Sequence, residues 1–130
     1  MLVFTKLYCA LTFLIFSNLI VLQNNEDPFK KLYDINGMIV SFIFYCEGDG
    51  EKNNGVVIYL ENKNNYSISF QFILIFRAGA IDRVRAVDGT MIPREKRTGS
   101  NDGLYFIPFE DGRSLSEVGI KGCRVEKIFK

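Results

Sequence analysis

The feature that most constrains the fold is a strict alternation in the stretch YSISFQFILIFRA, which runs from Tyr66 to Ala78. Every second residue on one side of this stretch is large and apolar: Ile68, Phe70, Phe72, Leu74 and Phe76. Successive side chains of a β-strand point to opposite faces, so this period of two predicts a strand with one buried face. Ile73 and Ile75 lie on the other face and predict that the second half of the strand is covered on both sides.

The same period recurs in shorter stretches along the chain. They are MIVSFIFYC, GVVIYLE, AIDRVRAV, GLYFIPF and CRVEKIF. Proline cannot donate to a strand ladder, so Pro108 predicts that GLYFIPF is an edge strand or carries a bulge. Ser114 followed by Glu117 resembles a capping box and allows a single helical turn between the last two strands. Asp-Gly favours tight turns, which predicts turns at 49–50, 88–89, 102–103 and 111–112.

Six or seven short strands without a long helix predict an all-β domain. We expect a small antiparallel β-sandwich of immunoglobulin-like architecture over residues 35–130, after a polar lead-in at 23–34. The chain has no Trp, so the Cys…Trp…Cys pattern of true immunoglobulin domains is absent. A small β-barrel is the alternative.

Residues 1–22 have the layout of a targeting segment. Lys6 precedes an apolar run from Leu7 to Leu22, and the chain then turns abruptly polar. This order is typical of a secretory signal peptide, although no A-x-A-like cleavage site precedes the polar switch. An uncleaved signal anchor and a buried helix of the fold remain alternatives. We therefore expect a periplasmic, extracellular or membrane-tethered protein, which contacts the membrane only through this segment if it is not cleaved.

Export changes the interpretation of the cysteines. Cys9 belongs to the targeting segment, which leaves Cys46 and Cys123 in a compartment that favours oxidation. The pair predicts a disulfide between an early strand and the last one, with two buried free thiols as the alternative. No CxxC motif and no His are present, so a metal site is not expected.

The residue types that are missing restrict the chemistry. Without His, neither a Ser-His-Asp nor a Cys-His arrangement can form. No nucleotide-binding loop occurs, and we expect no cofactor. Lys6 is the only charged residue in the first 22, and the remainder carries equal numbers of acidic and basic residues, which does not favour a nucleic-acid partner. A hydrolase that uses two carboxylates is the catalytic alternative, since that chemistry needs only Asp or Glu.

Five basic residues cluster in the stretch RVRAVDGTMIPREKR. They form a candidate partner-binding patch on a strand and an adjoining loop: Arg83, Arg85, Arg94, Lys96 and Arg97. The alternative is a solvated face, because acids interleaved in the sequence weaken the positive field: Asp82, Asp88, Glu95 and Asp102.

Four tyrosines are candidates for a carbohydrate-binding platform, with core and rim packing as the alternative: Tyr45, Tyr59, Tyr66 and Tyr105. Together these observations predict an exported, non-enzymatic module that binds a protein or a glycan. A small secreted hydrolase and a structural subunit of an envelope assembly are the alternatives.

Overall fold

The computed structural model describes residues 27–46, residue 48 and residues 53–129. Eight strands make up the fold: β1 (Lys30–Ile35), β2 (Met38–Tyr45), β3 (Gly55–Asn62), β4 (Ile68–Ala78), β5 (Ile81–Met91), β6 (Lys96–Thr98), β7 (Tyr105–Phe106) and β8 (Glu117–Lys127). A short 3₁₀ turn, Ser100–Asp102, links β6 to β7. The targeting segment predicted at residues 1–22 lies outside the described residues. Within the described ranges, no helix is long and apolar enough to span a membrane.

The strands form two antiparallel sheets. The five-stranded sheet has the order β1-β2-β3-β6, and β7 also pairs with β3. The three-stranded sheet has the order β5-β4-β8. The all-β prediction is confirmed, and two separate sheets around a shared core are consistent with a sandwich. The alternative of a closed barrel is wrong, because β3 ends its pairing at β6 and β7 while β5 pairs only with β4.

The core consists mainly of the alternating positions identified in the sequence. On β4, Ile68, Phe72 and Leu74 are almost completely buried, and they face Ile58 and Leu60 of the other sheet within one apolar cluster. Removing this much apolar surface from water is the main force that holds the sheets together. The face of β4 predicted to be buried is therefore confirmed.

The opposite face of β4 differs from the prediction. Ile73 and Ile75 are half-buried rather than covered. Their cross-strand partners on β5 are Ala86 and Val84, and Val84 is 60% exposed. This face stays partly open to solvent, so the apolar pair does not indicate a second fully covered side.

The first strand begins inside the predicted lead-in. Strand β1 starts at Lys30 and pairs with β2 through a two-residue turn at Asn36-Gly37, where both residues have positive φ. Asn-Gly is the preferred pair for such a turn, because both residues tolerate the left-handed region. The strand is difficult to predict from its sequence, KKLYDI, because charged residues occur on both faces and no apolar alternation is visible.

Two local predictions are wrong. Asp88-Gly89 is not a turn but lies within β5, where Gly89 is opposite Phe70. A Cβ at Gly89 would meet the Phe70 ring at 3.4 Å and Arg97 Nη1 at 3.5 Å, which are ordinary contact distances. Glycine is favoured here by its φ of 158°, which residues with side chains rarely adopt. Residues 112–116 form no helical turn, and β8 starts at Glu117.

The turns at Asp102-Gly103 and Asp111-Gly112 are confirmed. Gly103 and Gly112 both have positive φ, and Gly112 N donates to Phe109 O at 3.0 Å. The turn predicted at 49–50 lies outside the described residues. Strand β7 ends before Pro108 and occupies an edge of the sheet, as expected of a segment that contains proline.

Candidate functional site

The five basic residues predicted as a patch divide between two environments. Arg83 and Arg85 lie on β5, and the other three lie at or beside β6. Arg94 has a positive φ in the preceding turn, and its Nε donates to Asn65 Oδ1 at 3.2 Å. Arg97 points inward between the sheets, where its Nε donates to Glu95 Oε2 at 2.7 Å. These contacts give Arg94 and Arg97 roles in holding the loop, so the five do not form one patch.

Arg83 and Arg85 share a strand face, as expected. Their partners on β4, Phe76 and Leu74, point into the core. Because β5 is an edge strand, the two arginine side chains lie at the open side between the two sheets. The Arg85 guanidinium lies 5.2 Å from the centroid of the Phe106 ring.

A third arginine joins them from the loop before β8. Arg83 Cζ is 4.9 Å from the Phe109 ring centroid, and Arg113 Cζ is 5.5 Å from the same centroid. A guanidinium within about 6 Å of an aromatic ring is attracted to the ring quadrupole. We call these five residues the arginine edge: Arg83, Arg85, Arg113, Phe106 and Phe109.

The interleaved acids do not neutralise Arg83 and Arg85. Asp82 points to the opposite face of β5, where its Oδ1 accepts from Arg77 Nε at 2.8 Å. Glu95 binds Arg97. Neither Arg83 nor Arg85 forms a salt bridge with any carboxylate in the described part of the chain.

The remaining two acids are also directed elsewhere. Asp102 Oδ2 accepts from Thr98 N at 2.8 Å, and Asp88 is opposite Gln71 on the outer face of the three-stranded sheet. Acids that are close to Arg83 and Arg85 in the sequence therefore do not lie close to them in the structure, because neighbouring residues of a strand point to opposite faces of the sheet.

A surface cavity of about 320 Å³ adjoins the arginine edge. Six residues line it: Arg83, Pro108, Phe109, Glu110, Asp111 and Arg113. Arg113 forms a salt bridge with Asp111, with Nη2 and Oδ2 2.5 Å apart. This hydrogen bond holds the pKa of the Asp111 carboxyl below its usual range. The cavity therefore presents two guanidinium groups, an aromatic ring and two carboxyl groups, of which Asp111 is already bound to Arg113.

Sequence reasoning missed Arg113, Phe106 and Phe109 as site residues. The segment LYFIPFEDGR could have indicated them. In it, an aromatic run is followed by a tight turn, which brings the next arginine back toward the aromatic residues. Sequence reasoning placed the functional loop before Gly103, but the residues that meet Arg83 and Arg85 come after it.

Three of the four candidate tyrosines lie on one surface. Tyr59 and Tyr45 project from the outer face of the five-stranded sheet, and Tyr105 joins them from β7. Tyr66 lies elsewhere, packed against the core with Lys127 Nζ 4.6 Å from its ring centroid. The candidate platform therefore keeps three of its four members.

Cys46 and Cys123 are not joined by a disulfide. Asn36 Nδ2 donates to Val125 O at 3.2 Å, which places the start of β2 beside β8. From there β2 runs eight residues to Tyr45, about 26 Å at 3.3 Å per residue. Cys46 follows that far end, whereas Cys123 is only two residues from Val125. A disulfide requires Cα atoms within about 7 Å, so the predicted bridge is absent from this structure.

No cluster of three or more His, Cys, Asp or Glu side chains suited to a metal ion occurs among the residues that the structure describes. Comparisons of the chain with protein-family models, with curated proteins and with solved structures found no match.

Proposed function

We propose that this protein is an exported, non-enzymatic binding module that engages an acidic segment of a protein partner through the arginine edge. The observation that carries the proposal is the state of Arg83 and Arg85. Both are exposed and lack a salt bridge to a described carboxylate, and each guanidinium lies over an aromatic ring.

The geometry of the arginine edge suits carboxylates. Guanidinium is planar and presents donors that match a carboxylate in bidentate fashion, and stacking on a ring restricts its orientation before binding. The ordering cost on association is then smaller than for a freely moving arginine.

The finer fold proposal is an immunoglobulin-like sandwich, supported by one three-stranded and one larger antiparallel sheet around a single core. Such scaffolds present binding residues on edges and loops. The export proposal rests on residues 1–22 alone. Sequencing the N-terminus of the protein recovered from envelope and secreted fractions tests it: a protein confined to the cytoplasm would contradict export.

The hydrolase alternative receives less support. A glycosidase needs a carboxylic acid whose pKa is raised, so that it can donate a proton near neutral pH. Three described carboxyl groups have shifted pKa values, and in each an arginine lowers the pKa: Asp82, Glu95 and Asp111. We therefore propose binding rather than catalysis.

The test compares two charge-matched double variants. Arg83→Gln/Arg85→Gln removes two positive charges from the arginine edge, and Lys121→Gln/Arg124→Gln removes two from exposed positions of β8. Binding of fluorescent poly-glutamate is measured by anisotropy at increasing salt. We expect the first variant to lose about tenfold in affinity, or about 1.4 kcal/mol, at low salt. Equal losses in both variants would show that net charge, and not the arginine edge, accounts for binding.

A further inference from the structure

The outer face of the five-stranded sheet is a second surface with the composition of a binding site. Ile39 and Ser41 of β2 lie opposite Glu61 and Tyr59 of β3. Next along the strands, Ile43 lies opposite Val57. Most of these side chains are partly exposed, and the Phe29 ring contacts Tyr59 on this face.

Two aromatic pairs stand on this face. The Phe29 and Tyr59 rings meet edge to face with centroids 5.3 Å apart. Tyr45 and Tyr105 meet in the same way at 5.5 Å. Edge-to-face contact is a favourable arrangement for two rings, and it fixes both side chains in place. Each pair therefore presents an ordered aromatic surface.

Phe29 is positioned by its own local turn. Asp27 Oδ1 accepts from Phe29 N at 3.0 Å, two residues apart. This side-chain-to-backbone hydrogen bond is typical of an Asx turn. It directs the chain that precedes β1 so that the Phe29 ring reaches Tyr59 across the face.

Each aromatic pair borders a cavity. One cavity, of about 340 Å³, is lined by Phe29, Tyr59 and Ile39 with polar groups of Asp27, Ser41 and Glu61. The other, of about 240 Å³, is lined by Tyr45, Val57 and Tyr105. Tyr59 and Val57 are two residues apart on β3, about 7 Å, so the cavities are neighbours on one face.

The charges around the larger cavity indicate which class of ligand it would bind. Its lining contains two acids, Asp27 and Glu61, and two lysines, Lys31 and Lys63. Lys31 also pairs with Asp34, with Nζ and Oδ2 3.4 Å apart. Since positive and negative groups balance, the cavity favours neither an anion nor a cation. A neutral ligand with many hydroxyl groups fits this lining best.

We propose that this face binds a neutral oligosaccharide. Sugar rings have apolar C–H faces that pack on aromatic rings, here Tyr59 in one cavity and Tyr45 in the other. Their hydroxyl groups both donate and accept, which matches the carboxylate of Glu61 and the hydroxyl of Ser41. Ligand sites of this kind combine an apolar floor with a few placed polar groups.

The site is separate from the arginine edge. Tyr59 and Tyr45 lie on the outer face of their sheet, whereas Arg83 and Arg85 are on the inner side of β5 in the other sheet. The oligosaccharide proposal therefore goes beyond the protein-binding proposal, and either can fail without the other.

The experiment uses the full chain and a set of soluble hexasaccharides as probes: the neutral cello-, laminari-, manno-, xylo- and chito-series, with oligogalacturonate as the acidic member. Binding is followed by isothermal titration calorimetry. Tyr45→Ala and Tyr59→Ala remove the two platforms. Tyr59→Phe keeps the ring, and Tyr33→Ala removes an exposed tyrosine that does not line either cavity.

We expect at least one neutral hexasaccharide to bind, and each platform variant to weaken it about tenfold or more, as large interface aromatics do. Tyr59→Phe, Tyr33→Ala and Arg83→Gln/Arg85→Gln should stay within about threefold of the unchanged protein. Tyr45 is 48% exposed at the end of β2, so its variant tests the proposal even if Tyr59→Ala fails to fold. No binding to any neutral probe, tightest binding to oligogalacturonate, or equal loss in Tyr33→Ala would each overturn the proposal.

Discussion

The guanidinium of Arg85 on β5 lies over the ring of Phe106 on β7, 5.2 Å from its centroid, and so joins the two sheets at their open side. The contact combines attraction to the ring with packing of the arginine stem on an apolar surface. Its position explains why a charged residue occupies a strand position whose neighbour, Leu74, belongs to the core.

Replacing Arg85 with Ala should lower the free energy of unfolding by about 0.5–1 kcal/mol, because the cation–π contact and the stem packing are both lost. Urea unfolding followed by circular dichroism measures the change. Arg124→Ala, at an exposed site on β8, is the control and should cost less. An equal cost in both variants would mean that the Arg85–Phe106 contact adds nothing.

Replacing Asn62 with Ala should destabilise the protein by about 2–3 kcal/mol. Asn62 is 0% exposed, and its Nδ2 donates to Tyr66 O and Ile92 O, each at 3.0 Å. Its Oδ1 accepts from Asn64 N at 3.0 Å. Truncation leaves these backbone groups without their partner in the interior. Asn101→Ala, at an exposed position of the 3₁₀ turn, is the control, with an expected change of about 0.5 kcal/mol or less. Thermal unfolding of both variants compares them.

Gly37→Ala should cost more than Gly103→Ala, although both glycines have a positive φ, 83° and 70°. Both variants carry a penalty for this backbone conformation, about 1–2 kcal/mol. A Cβ at Gly37 would also lie 2.6 Å from Asn64 Cγ, whereas at Gly103 it would meet open space. The collision should add about 1–3 kcal/mol. Chemical denaturation measures both, and equal losses would show that Asn64 moves aside freely.

Cys46 should react with a thiol reagent much faster than Cys123 in the native protein. Cys46 is exposed, while Cys123 is half-buried and burial raises the pKa of its thiol. The thiolate is the reactive form, so the lower exposure of Cys123 and the raised pKa of its thiol both slow its reaction. The measurement is the rate of reaction with Ellman's reagent in a Cys9→Ser background, and Cys46→Ser should remove the fast phase. A denatured, non-reduced sample without titratable thiols would show that a bridge forms after all.

Stability should fall in acid partly through Glu95. Hydrogen bonding to Arg97 lowers the pKa of the Glu95 carboxyl. A lowered folded-state pKa stabilises the fold above the unfolded-state value, and this contribution is lost as the pH falls through the folded-state pKa. Glu95→Gln should therefore be less stable than the unchanged protein at neutral pH and should lose less stability between pH 5 and strong acid, at about pH 2. Unfolding curves across this range test the sign, with Glu126→Gln as the exposed control.

The sequence could predict the buried faces of β2, β3 and β4 because large apolar residues alternate there without interruption. It could not locate the start of β8, since Gly119 and Gly122 and a shift of register opposite Gln71 and Ile73 break the period. Strand β1 is also difficult to recognise, because its sequence has charged residues on both faces. The Asn36-Gly37 pair, which favours a hairpin turn, could have indicated it.

The candidate sites were harder to predict than the strands. Arg83 and Arg85 could be identified because they stand two apart on one strand. Arg113 could not, because its approach to Phe109 depends on where the loop before β8 crosses the core. The partners of the acids could not be predicted from the sequence either. Asp82 binds Arg77, which is opposite it on β4, and not Arg83, its nearest basic neighbour in the sequence.

The β4–β5 hairpin has a consequence for the order in which the protein folds. Its strands are joined by only two residues, Gly79 and Ala80, and pair along eleven positions, so its contacts form with little loss of loop entropy. The other edge of β4 pairs with β8, which comes much later in the chain: Glu117 of β8 binds Arg77 of β4, 40 residues away in the sequence. Local hairpins form within microseconds and distant pairings more slowly. A nascent chain that has not yet supplied β8 therefore exposes the unpaired edge of β4, which is a template for pairing with another chain.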